Sequence, residues 1–89
     1  MIFYTKVMFG HQLKKRVLQK QSLVEIGIWA YETYLNCSSE VDKNLLQIML
    51  DLNTMELGPE FAISYETLLK ISNDLVFGKE IDLNSEEYQ

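Results

Sequence analysis

The sequence predicts an all-α fold, a small bundle of three to four short helices. Three observations lead there. Serines stand at helix-cap positions ahead of apolar runs, at Ser22, Ser39 and Ser64. The runs themselves carry apolar residues at helical spacing. Gly58-Pro59 and Gly78 then fall where those runs have to stop.

The clearest helix covers residues 23–36. Ser22 and Glu25 make a capping-box pair, each able to satisfy an amide left free in the first turn. This segment is apolar nearly all round, with only Glu25, Glu32 and Thr33 clearly polar. Such a helix is expected at the centre, covered on several sides, with Trp29, Tyr31 and Tyr34 in the core. Gly27 costs about 1 kcal/mol of helix propensity, and close approach of a neighbouring helix would explain it.

The next helix covers residues 40–53, with Ser39 as its N-cap and Asp42 completing a box-like cap. Val41, Leu45, Ile48, Met49 and Leu52 form one stripe, and Asp42, Lys43, Gln47 and Asp51 lie opposite. After the Gly58-Pro59 break, a third helix covers residues 65–77. Ser64 caps it, Glu66 complements its dipole, and Leu68, Ile71 and Leu75 form its core line. Gly78 stops it, and residues 79–89 read as an extended or frayed acidic tail.

Residues 1–21 stay open between helix, strand and arm. Residues 11–21 fit a helix with Leu13, Val17 and Leu18 on one side, while residues 1–9 fit a strand, a helical turn or an ordered arm. A lone strand would need another chain to pair with. The chain therefore divides into a basic segment (1–21), a helical body (22–78) and an acidic tail (79–89), all within one domain of 89 residues.

Charge is distributed unevenly. Residues 1–20 hold Lys6, Lys14, Lys15, Arg16 and Lys20 and no acid, a charge of +5. Residues 21–89 hold three lysines against all thirteen acids, a charge of −10, which gives the net −5. Folding of the basic segment onto the acidic body would neutralise part of this. An acidic body steers toward basic protein partners and away from nucleic acid.

Motifs for chemistry are missing. His11 is the single histidine and Cys37 the single cysteine, so a zinc site would need mostly carboxylates. Cys37 reads as a buried free thiol, and one cysteine makes no disulfide within the chain. The serines read as caps, and the four scattered glycines form no phosphate-cradling loop. No metal, cofactor or catalytic residue is expected, and the chain reads as a non-enzyme. No stretch has the eighteen or so uncharged apolar residues that span a bilayer. The short apolar start precedes the basic cluster, the reverse of a signal peptide. The reading is a cytoplasmic protein.

The segment 55–65 is richer in large apolar residues than a connection needs. Leu57, Phe61 and Ile63 are expected to plug the end of the bundle, with the acids around them forming a contact surface. The expected function is protein binding by a small acidic inhibitor, an immunity protein or antitoxin that neutralises a basic toxin such as a nuclease. The candidate contact residues are Asp51, Glu56, Glu60, Tyr65, Glu66 and Asp74. The alternatives are a structural or adaptor subunit, homo-oligomers included, and a nucleic-acid-linked regulator using the basic segment. The overall acidity weighs against the last.

Overall fold

The computed structural model describes residues 4–37 and 41–88. It is all-helical across them, with four α-helices: α1 (Lys6–Leu18), α2 (Leu23–Asn36), α3 (Lys43–Asn53) and α4 (Tyr65–Val76). Two 3-10 turns, Thr54–Leu57 and Pro59–Phe61, join α3 to α4, and a third, Glu86–Tyr88, ends the described chain. The bundle class expected from the sequence is the one observed.

The caps explain most of the helix starts. Ser22 accepts from the amide of Glu25, and Ser64 from that of Thr67, each at 3.1 Å. The start of α3 corrects the sequence reading. Asp42 is the N-cap, accepting from Asn44 and Leu45, and the helix begins at Lys43. Ser39, the expected cap, lies outside the described residues, as do Glu40 and residues 1–3.

The N-terminal segment resolves as helix. Thr5 caps it through the amide of Met8, so α1 starts five residues before the expected His11 and takes in residues 6–10 as well. Its C-terminus closes with Lys20 at φ 55 and the amide of Gln21 bonded to the Arg16 carbonyl. The end of α4 repeats this motif with Gly78 at φ 73 and the amide of Lys79 on Asp74. Lys20 therefore sits where glycine is favoured, at a cost of about 1 kcal/mol.

The helices associate in two pairs, α1 along α4 and α2 along α3. Each pair meets at a glycine. A Cβ on Gly10 would lie 2.8 Å from the Ser72 carbonyl and 2.9 Å from Leu75 Cβ. A Cβ on Gly27 would lie 3.0 Å from the Leu52 carbonyl at the end of α3. The close approach expected at Gly27 is thus present, and Gly10 has the same role between α1 and α4. The pairs share one core. Phe9 and Leu13 of α1, Ile26 of α2, Leu45 and Met49 of α3, and Leu68 and Ile71 of α4 are fully buried in it. Phe9 stacks on Trp29 across the pairs, with centroids 4.7 Å apart and planes 12° from parallel.

The tail corrects a second expectation, for it is not frayed. Ile81 and Tyr88 are buried in the core. The side-chain amide of Asn44 on α3 donates to the Ile81 carbonyl at 2.8 Å, and its oxygen accepts from the Ile81 amide at 3.1 Å. Tyr88 donates to Asp74 at 2.6 Å, and Lys79 pairs with Glu87. The segment forms a strap across α3 and α4, anchored at both ends.

Candidate protein-interaction surface

Helix α2 turns one large residue and two small ones fully inward. Ile26, Gly27 and Ala30 are its buried positions, and Gly27 lets the end of α3 come into backbone contact. A consequence follows from the 3.6-residue period: large apolar side chains elsewhere on the helix are left facing outward. Val24, Ile28, Tyr31 and Leu35 are 47, 41, 39 and 61% exposed. Their 4-3-4 spacing puts them in one stripe roughly 16 Å long, in the register of a coiled-coil seam. The expectation of an α2 covered on several sides is therefore wrong for this face.

A hollow lies on either side of the stripe. One, of about 310 Å³, is mainly apolar and lined by Leu23, Val24, Met55, Glu56, Pro59 and Ala62. The other, of about 290 Å³, is lined by Arg16, Gln21, Glu25, Ile28, Trp29 and Glu32. Arg16 is the only cation among the residues lining either hollow, and it is occupied locally. Its guanidinium lies over the Trp29 ring, 4.5 Å from the centroid, and donates to Gln21 at 2.9 Å. Trp29 is thus held between Arg16 and Phe9. The two 3-10 turns add exposed Leu57 and Phe61 near the Pro59 end, so these do not plug the bundle as expected. Ile63, half-buried against the core, does.

The residues nominated from sequence separate into three groups. Glu56 borders the apolar hollow, and Glu60 folds its carboxylate back beside Gly58. Tyr65 and Glu66 open α4, where the Tyr65 hydroxyl donates to the Gln21 carbonyl at 2.8 Å and ties α4 to the α1–α2 connection. Asp51 accepts from Gln47 along α3, and Asp74 lies at the strap, bonded to Tyr88 and near Lys70 and Lys79. The six therefore do not form one surface. Val24, Ile28, Tyr31 and Leu35 were not nominated. Their seam-like spacing was the available signal, masked by the apolar residues interleaved with them.

The titratable groups with displaced pKa values serve packing. Burial pushes the Tyr4 phenol up to about 12, assisted by Cys37 and opposed by Arg16. Burial also raises the Cys37 thiol, which is half-buried and not fully enclosed as expected. At the strap, burial and then the Asp74 carboxylate raise the Tyr88 phenol. The hydrogen bond between Lys79 and Glu87 raises the ammonium and lowers the carboxyl. His11 is exposed. Among the described residues no three His, Cys, Asp or Glu side chains are grouped to hold a metal ion. Nor is any helix among them long and apolar enough to cross a membrane.

The basic segment contacts the acidic body sparingly. Lys6 approaches Asp42 at 3.9 Å and the Lys79 carbonyl at 3.5 Å. Lys14, Lys15 and Lys20 have no ion pair among the described residues. Comparison with protein-family models, curated proteins and solved structures finds no match.

Proposed function

We propose that this chain is a small acidic protein-binding module that acts by covering part of another protein, with the outer face of α2 as its contact surface. One observation carries the reading: four large apolar side chains stand exposed in line on the most apolar helix of the chain. Apolar patches of this kind on a small protein commonly mark binding sites. Toxin neutralisation by an immunity protein or antitoxin, with a nuclease as the basic target, is the form that best suits the charge of −10 over residues 21–89. On this reading the module works in the cytoplasm, by occlusion, and has no chemistry of its own.

The test is co-purification of the tagged chain beside an Ile28→Asp/Leu35→Asp variant, with circular dichroism to show that both fold. The expected result is a stoichiometric partner, toxic when expressed alone, that the variant loses. A partner retained by the folded variant would remove α2 from the reading. A second reading, self-association, is favoured by the seam-like 4-3-4 spacing. It predicts that sedimentation detects a dimer of the parent chain and a monomer of the variant.

A further inference from the structure

Resting on that reading of the α2 face, we infer that its occupant is a basic amphipathic helix of another protein. This helix sets large apolar residues on the Val24–Ile28–Tyr31–Leu35 stripe and directs Lys or Arg toward Glu25 and Glu32. The first argument is shape. The stripe is about three turns long, and a hollow flanks its first half on each side, one at Val24 and one at Ile28. Side chains from successive turns of one docked helix fit such a surface, the mode in which amphipathic helices enter apolar grooves. The apolar hollow beside Pro59 takes the larger anchors, and the opposite edge presents carboxylates.

The second argument is charge. Glu25 and Glu32 are the only charged residues of α2, seven positions apart and therefore on the same edge of the stripe. Glu56 stands at the other edge. None of the three has an ion-pair partner among the described residues. Arg16, the only cation lining either hollow, is committed to Trp29 and Gln21. A helix flanked by Lys or Arg supplies the missing counter-charge.

A second copy fits less well. Antiparallel packing of two α2 stripes aligns the Glu25–Glu32 edge of one copy with the same edge of the other, acid against acid. Parallel packing aligns it with the Gly27–Tyr34 edge, which α3 already fills at Gly27.

The experiment uses the full chain and two synthetic peptides of about 18 residues, long enough to form helix. Both carry the same leucine stripe at 4-3-4 spacing, one flanked by lysine and the other by glutamate. Trp29, the single tryptophan, lines the acidic hollow and reports binding by fluorescence, with calorimetry alongside. The lysine peptide is expected to bind at least about tenfold more tightly at low salt, with a margin that shrinks as salt rises. Glu25→Gln/Glu32→Gln should remove most of that margin, whereas Glu80→Gln/Glu86→Gln, with the same change of net charge, should preserve it. Equal affinity for both peptides would overturn the basic-helix assignment but leave the α2 face as a contact surface. Binding of neither peptide would overturn the inference, and the co-purification result would then decide the face independently. Competition by self-association at the peptide concentrations used would assign the face to a second copy.

Discussion

Helices α2 and α4 are close in length, and their surroundings differ in the opposite sense to their compositions. Helix α4 is the more polar, yet α1 closes over one side through Gly10 and the strap over another through Tyr88. Helix α2 is the richer in large apolar residues, yet its neighbours enclose only Ile26, Gly27 and Ala30 and leave Val24, Ile28, Tyr31 and Leu35 exposed. Closure thus follows where backbones can approach, at glycine and serine, and not where apolar side chains are most abundant. A stable fold needs α4 enclosed. It leaves one face of α2 open, the face proposed above for a partner.

The sharpest way to break the comparison is to truncate one leucine on each helix. Leu75 of α4 is fully buried, so Leu75→Ala should lower unfolding stability by about 2–5 kcal/mol. Leu35 of α2 is 61% exposed, so Leu35→Ser should change it by no more than about 0.5 kcal/mol. Chemical denaturation of both variants measures the pair. Similar losses at the two positions would mean that α2 is as enclosed as α4, and the interaction surface would go with it.

Much of this contrast was legible in the sequence, and the remainder has identifiable physical causes. The caps at Ser22 and Ser64 and the stop at Gly78 are local, and each forms where expected. The core lines of α3 and α4 follow from period alone. The start of α1 was less visible, because Thr5 caps a run that reads equally well as strand. The strap could not be read at all. Its anchor joins Asn44 to Ile81 across 37 residues, and the acids between Ile81 and Tyr88 suggest solvent. The outer face of α2 failed differently. Periodicity shows which residues share a face, but not which face the neighbours take when nearly all faces are apolar.

The strap offers a finer test. Asn44 satisfies both backbone groups of Ile81, so Asn44→Ala leaves a buried amide and carbonyl without those bonds. The expected loss is about 1–3 kcal/mol, intermediate between the two leucine changes. Hydrogen exchange should locate it, with the Ile81 amide and the Tyr88 end of the strap losing protection while α2 keeps its own. Uniform loss across all four helices would show that the strap is part of the global folding unit and not a separate closure of α4.

The smallest effect concerns the ion pair that holds the strap's far end. The hydrogen bond from Lys79 holds the Glu87 carboxyl below its usual 4.5. Its contribution is therefore complete above 4.5 and is lost as pH falls through the lower folded value. Lys79 is raised above its usual 10.5, chiefly by the same bond, so its contribution is complete below 10.5 and lost as pH rises through the higher folded value. Both groups are exposed, so the change should be slight and should weaken with salt. In an NMR titration the Ile81 methyl and Tyr88 ring signals should hold steady between these limits and move in acid before those of Leu75. At constant neutral pH, Glu87→Gln should shift the Ile81 methyl and Tyr88 ring signals and leave the Val24 and Ile28 methyls in place. If they moved together with Tyr88, the two surfaces would be coupled, and the α2 face would be open only while the strap is closed.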